Sequence, residues 1–380
     1  MKQANKPLGA IMLIAGTAMG AATLALPLCL SQAGLLATLL LFGVTWLMMY
    51  WSGLILGEVA LAQPAGTSFV TMAENSLGRY GYTLAWMSYG VLLLTLLMAY
   101  YTGIATLIDF NNAFFDHVII GSTIVAVMVW LILYMGTAFI DALNRVMLYV
   151  LIIVMAAMLF VLAFRMQLSS WLWLPLNWSS ISYALPIVVT GFGFQVVVPS
   201  IRNYLDDQKK SFDYVILWGS LIPLMLYLIW TIGLITGLDI QELSSMYHTN
   251  DHAINVLMHD VIHKWMMNTF IFAAIVSSLL GVSLSFADFI ADAFKLKPSL
   301  LTTGLAAIVP WILMQLFPAA FMEILRFGGF IVAILNVLLP CLMLLKQRKF
   351  HPKKKQIAPA NEIIYVVIIF AVVVMVCEWL

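Results

Sequence analysis

The chain has 380 residues, of which 63% are hydrophobic and 9% charged, and its mean hydropathy is +1.03. Soluble domains carry about 25% charged residues, so the composition excludes a soluble enzyme, a secreted disulfide scaffold and a disordered protein. Eighteen basic residues against seventeen acidic ones leave a net charge of +1, which excludes bulk electrostatic binding of nucleic acid.

The apolar runs are about 20 residues long, the length of a membrane-spanning helix, whereas barrel strands alternate over about 10 residues. An all-α polytopic membrane protein is therefore expected. Lys2 and Lys6 precede the first run. It differs from a signal peptide in its length and in the second span that follows at once. Eleven spans are predicted, near 8–30, 35–61, 82–109, 118–137, 145–165, 182–204, 214–237, 266–292, 299–317, 323–345 and 362–380. Cys29, Cys341 and Cys377 all lie in apolar runs and read as free buried thiols.

With the N-terminus inside, fifteen of the eighteen basic residues collect on the inner side. They include Lys6, Arg79, Arg145, Arg202 and the cluster Lys346, Arg348, Lys349, Lys353, Lys354 and Lys355. Arg165, Lys264 and Arg326 remain outside. The positive-inside rule supports this orientation, and an odd number of spans places the C-terminus outside. The cluster at 346–355 reads as a topology anchor, with a lipid-binding patch as the alternative.

Span 1 contains Ala15-Gly16-Thr17-Ala18-Met19-Gly20-Ala21, and span 6 contains Gly191-Phe192-Gly193-Phe194-Gln195 followed by Pro199. Paired mid-span glycines cost about 1 kcal/mol each relative to alanine and mark places where a helix opens. Close packing through small residues is the plainer alternative. The offset of about 175 residues, half of a ten-span core, favours interruption at corresponding positions of two inverted repeats, the sequence pointer to a secondary-transporter site. A single transporter domain follows: first repeat 1–165, second repeat 182–345, additional helix 362–380. Spans 3 and 8 are expected to be the longest of their halves. Opened backbone offers N–H groups to a carboxylate and C=O groups to a cation or ammonium.

Tyr100 and Tyr101 in span 3 need partners for their hydroxyls, either substrate or protein. Phe192 and Phe194 flank Gly193 and offer rings for an aromatic ligand, or ordinary packing. In span 8, Ser277 and Ser278 either bond back to their own helix or help carbonyls of span 1 to hold a hard cation such as sodium. Glu58, Asp288, Asp292 and the pair Glu323/Arg326 all fall near span ends, which speaks against a buried carboxylate relay. None of the six histidines lies inside a span. His248/His252 and His259/His263 have i, i+4 spacing in a polar outer loop, where zinc binding is the weaker reading. No P-loop occurs, and no cofactor or obligate protein partner is implied.

At these residues the chain resembles a known family. Ile14 to Ala21 with Leu24-Ala25-Leu26-Pro27-Leu28, Gly191-Phe192-Gly193-Phe194 with Pro199-Ser200-Ile201, and Val276 to Leu284 with Asp288-Phe289-Ile290-Ala291-Asp292 are similar to spans 1, 6 and 8 of the hydroxy and aromatic amino acid permeases. The resemblance implies a leucine-transporter-type fold of five plus five inverted spans with an eleventh appended. It also implies uptake of an aromatic amino acid, tyrosine first, driven by an ion gradient across a bacterial inner membrane. By this analogy Ala15, Gly16, Thr17, Gly20, Ala21, Tyr100, Tyr101, Gly191, Phe192, Gly193, Phe194 and Gln195 surround the substrate. Gly16, Met19, Ala274, Ser277 and Ser278 match the second sodium site of sodium-coupled relatives. One departure stands out: Gln195 occupies a position where these permeases commonly have histidine, and an amide does not titrate. Proton coupling is the favoured expectation and sodium coupling the alternative. A passive facilitator and a membrane-embedded enzyme are the competing classes.

Overall fold

The computed structural model describes residues 6–20, 22–64, 67–105, 107, 117–164, 170–205, 209–237, 261–295, 299–317, 321–350 and 357–379. Among them there is no strand. Fifteen α-helices run in chain order: α1 (Lys6–Ala18), α2 (Ala22–Leu30), α3 (Gly34–Leu61), α4 (Phe69–Leu77), α5 (Arg79–Ala105), α6 (His117–Met135), α7 (Thr137–Ala163), α8 (Trp178–Gly191), α9 (Val198–Tyr204), α10 (Lys209–Gly237), α11 (Val261–Ala293), α12 (Leu300–Leu316), α13 (Phe321–Val332), α14 (Leu339–Phe350) and α15 (Asn361–Cys377).

Seven segments among the described residues are long and apolar enough to cross a bilayer: Gly34–Leu61, Arg79–Ala105, Thr137–Val161, Trp178–Arg202, Phe212–Thr236, Trp265–Ala293 and Phe321–Lys349. The pair α1 and α2, bent by 57°, counts as an eighth if taken as one span. Three shorter apolar helices, Ile119–Met135, Leu300–Leu316 and Asn361–Cys377, occupy the places of predicted spans 4, 9 and 11.

Several expectations need adjustment. The fifth apolar helix starts at Thr137, not near 145. Gly136, with φ +91°, makes the turn after α6 that glycine alone adopts without strain, and the Asp141–Arg145 pair lies on the first turns of α7. In the first half α5 (27 residues) is not the longest helix, because α3 has 28. The tenth span carries a π-helical turn at Ala333–Leu338 that no sequence signal marked. Helix α4 lies between spans 2 and 3. The Ser68 side chain caps it by accepting from the Thr71 N–H at 3.2 Å, and it buries Met72 and Ala73. The loop histidines His248, His252 and His259 lie outside the described residues, and His263 lies in the first turn of α11.

The core sits where both interrupted spans meet α3, α10 and α11. Phe42, Phe192, Phe194, Tyr227, Trp230 and Phe270 are fully buried there. Tyr149, Ile153 and Phe160 on α7 are exposed, as lipid-facing side chains are. Charges are tied off at helix ends. Arg348 pairs with Glu58 at 3.0 Å, and Glu58 also accepts the N–H groups of Ile357 and Ala358 at 2.8 Å each. Arg202 donates to the carbonyls of Ala60, Gln63 and Pro64. Arg326 lies 3.5 Å from Glu378 and 3.9 Å from Glu323. Cys29, Cys341 and Cys377 are free and buried.

Candidate functional site

Both glycine-rich spans are interrupted. In the first, α1 stops at Ala18, Met19 and Gly20 form a bend, and α2 resumes at Ala22. In the sixth, α8 ends at Gly191, and a short 3-10 turn over Phe194–Val197 leads into α9. Pro199, near the start of α9, lacks the N–H that a helix interior needs, which suits a fresh helix start there.

Interruption frees backbone carbonyls, and buried carbonyls must be satisfied. Tyr227 of α10 answers this at both breaks. Its hydroxyl lies 2.6 Å from the Ala18 carbonyl and 2.9 Å from the Gly191 carbonyl. Its ring packs edge-on to Phe192 at 5.4 Å and stacks on Phe42 at 6.3 Å. One side chain therefore ties the two breaks together. Trp230, one turn further on, donates to the Thr23 carbonyl at 2.9 Å and packs on Phe270 at 4.4 Å. Trp171 donates to the Leu30 carbonyl at 3.2 Å. The half-helix α2 is thus held by two buried indoles.

A cavity of about 480 Å³ lies beside the breaks, within the range of small-molecule sites. From the first break come Gly16, Thr17, Met19 and Gly20; from span 6, Thr190, Gly193, Val196 and Val197; from α5, Tyr89 and Tyr100. Helix α11 contributes Ser277, Ser278 and Ser285, and α7 contributes Asn144 and Leu148. On α7 and α11 these residues come from the half nearest Thr137 and Ala293. The cavity therefore extends from the breaks toward one end of the bundle, the end of Lys6 and Arg79. At the other end Trp230, Phe270 and Trp171 are fully buried.

Tight approach at the first break depends on Gly20. A Cβ there would lie 2.9 Å from the Ser278 hydroxyl oxygen. Ser278 and Tyr100 both line the cavity beside this contact. The neighbouring Ser277 donates to the Ala274 carbonyl at 3.0 Å, so that carbonyl and that hydroxyl proton are engaged within α11.

The predicted residues separate into two groups. Gly16, Thr17, Met19, Gly20, Tyr100, Gly193, Ser277 and Ser278 line the cavity. Ala15, Gly191 and Ala274 are buried beside it and do not line it. Tyr101 is turned away: consecutive helical residues point about 100° apart, and its hydroxyl donates to the Ala307 carbonyl on α12 at 3.1 Å. Phe192 and Phe194 also face away, fully buried. Phe192 packs on Phe42 and Tyr227, and Phe194 covers Gly53, where a Cβ would lie 2.9 Å from its ring. Gln195 is fully buried as well, its amide donating to the Met49 carbonyl at 3.2 Å. Ala21 lies outside the described residues.

Two residues beyond the sequence reading belong here. Tyr227 is one; its signal was a mid-span tyrosine in Leu226-Tyr227-Leu228, visible but not singled out. The other is Asn336, in the π-helical turn after α13, whose side chain is buried with neither Nδ2 nor Oδ1 partnered among the described residues. Such orphaned polar atoms cost about 1–3 kcal/mol each.

Residues 3–378 match the model of the tryptophan/tyrosine permease family. The chain is 30% identical over 392 residues to the tyrosine-specific transport system 2 of Haemophilus influenzae, covering 99% of this chain and 97% of that protein. It is also 30% identical to a tryptophan-specific transport protein of Haemophilus influenzae, covering 98% and 95%. A glutamine transporter of Aliivibrio fischeri is 24% identical, with 90% of each chain covered. On the strength of the family match along nearly its whole length, the chain belongs to the tryptophan/tyrosine permease family.

Proposed function

We propose that the protein is an ion-coupled symporter that carries an aromatic amino acid, tyrosine first, into a bacterial cell. The observation that carries this reading is the cavity bordered by the broken backbone of span 1 and by Tyr100 and Ser278. Open backbone suits the charged ends of an amino acid, and largely apolar walls such as Leu93, Leu96, Leu325 and Val332 suit its ring. The relatives named for tyrosine and tryptophan transport support the aromatic class.

The full topology belongs to the same proposal: eleven spans in a leucine-transporter-type arrangement of five plus five inverted spans, plus one. Its support is the exchange of packing partners between halves. Helix α7 packs on α11, as α13 packs on α5; α1 packs on α10, as α8 packs on α3; α5 packs on α6, as α11 packs on α12. With the basic ends of the helices inside, the N-terminus is cytoplasmic and the C-terminus periplasmic. The cavity then opens inward, with the outer path closed behind Trp230 and Phe270.

Cation and substrate would stabilise the same closed state, so that each raises the other's affinity. A proton is the preferred driver. Sodium is the second reading, favoured by Ser277 and Ser278 lying at the cavity wall near the first break. The test is uptake of labelled tyrosine by proteoliposomes under a proton or a sodium gradient imposed separately. Accumulation under the proton gradient alone is expected. Accumulation that needs sodium at fixed pH overturns the proton assignment, and equilibration without accumulation makes the protein a passive facilitator.

A further inference from the structure

We propose that Asn336 recognises the polar group on the ring of the aromatic substrate, and that it sets a preference for tyrosine over phenylalanine. The inference rests on reading the cavity as an aromatic amino acid site.

Three observations converge on this side chain. It is 1% exposed, and neither of its amide atoms has a partner among the described residues. It stands on the π-helical turn Ala333–Leu338, and the Asn336 carbonyl is fixed by the Ser52 hydroxyl of α3. Single π-turns inside α-helices are frequent at functional sites. Finally, it lies directly behind the second break. A Cβ built on Gly193 would sit 3.7 Å from Asn336 Nδ2 and 3.8 Å from Val332. Gly193 and Val332 both line the cavity, and Asn336 stands in the layer directly behind them, with no side chain at position 193 between its amide and that corner.

Among the described residues, no other side chain in this corner competes for the role. Leu325, Val332 and Val196 are apolar, and the Thr190 hydroxyl is engaged with the Pro186 and Leu325 carbonyls at 3.1 Å each. Gln195 also has an orphaned oxygen, but its amide nitrogen is already bonded to the Met49 carbonyl on α3.

The chemistry of the amide names the ligand group. A primary amide offers donors on nitrogen and an acceptor on oxygen. A phenol hydroxyl satisfies both at once, donating to Oδ1 and accepting from Nδ2. An indole N–H satisfies Oδ1 alone. A phenyl ring satisfies neither and leaves a buried amide unpaired, the situation in which binding sites reject analogues most strongly. The two breaks are close enough for one amino acid to reach from the first to this corner, since the Tyr227 hydroxyl alone bonds a carbonyl from each.

The experiment is competition against labelled tyrosine in proteoliposomes by unlabelled tyrosine, tryptophan, phenylalanine and O-methyltyrosine, which keeps the ring oxygen but cannot donate. In the unaltered protein tyrosine is expected to compete at least tenfold better than phenylalanine, with tryptophan between them and O-methyltyrosine far below tyrosine. Asn336→Leu is expected to bring tyrosine within about twofold of phenylalanine. A ratio near one in the unaltered protein overturns the proposal without any variant, as does a wild-type ratio retained in Asn336→Leu, which would make the amide a structural or water-binding group. Absence of any aromatic uptake by the unaltered protein removes the transport reading itself; uptake with a flat ratio removes only this inference.

Discussion

The two interrupted spans have similar glycine-rich sequences, yet they present themselves to the cavity in opposite ways. At the first break Gly16, Thr17, Met19 and Gly20 all line it, with Gly20 pressed against Ser278. At the second, Phe192, Phe194 and Gln195 turn outward onto α3 and α10, and Gly193 faces inward without a side chain. The first break offers backbone to a ligand. The second anchors the scaffold and sets a glycine in front of Asn336. Motif symmetry thus marks where helices break, while the neighbouring helices decide which face of the broken segment meets the substrate.

Substitutions can break this contrast. The largest effect is expected at Gly20. Its Cβ position is 2.9 Å from the Ser278 oxygen, so Gly20→Leu should reduce tyrosine uptake to background while the protein still inserts, as read by uptake against membrane abundance. Normal transport by a well-expressed Gly20→Leu protein would sink the site. Next comes Tyr227→Phe, which strips one hydroxyl from two freed carbonyls. At about 1–3 kcal/mol for leaving such groups unpaired, a loss of roughly tenfold or more in uptake rate is expected, and an unchanged rate would deny the bridging role.

Phe192→Leu sharpens the contrast from the other side. Because the ring packs on Phe42 and Tyr227, away from the cavity, this large-to-small swap should cost stability on the order of 1–3 kcal/mol through the space it leaves. Tyrosine, tryptophan and phenylalanine should then keep their order in competition. A reordered series would return Phe192 to the binding site. The smallest effect is expected for Gln195→Leu. It removes the bond to Met49 but also an orphaned oxygen, so the changes nearly offset. Uptake should stay within about twofold, and a large loss of proton-driven accumulation alone would show that Gln195 takes part in coupling.

Much of this was legible in the sequence. Hydropathy located most of the apolar helices within a few residues, α7 being the exception, and the glycine pairs located both breaks. The orientation of Tyr101, Phe192 and Phe194 was not legible, because it depends on partners far along the chain: Ala307, Tyr227 and Gly53. The early start of α7 followed from one backbone angle at Gly136, which an isolated glycine does not announce. The π-helical turn at Asn336 left no periodicity signal, since one extra residue in a uniformly apolar run changes no pattern. Tyr227 looked like any mid-span tyrosine until its hydroxyl was placed between two breaks.

The central claim, that the substrate sits in the cavity beside the first break, is tested most directly by protection from labelling. Cys29, Cys341 and Cys377 are buried, so a single thiol introduced as Thr17→Cys on the cavity wall can be followed over low background with a membrane-impermeant maleimide in inside-out vesicles. Tyrosine should slow its modification in proportion to occupancy, and lysine should not. An unchanged labelling rate at saturating tyrosine, in a variant that still transports it, would place the substrate elsewhere and contradict the account.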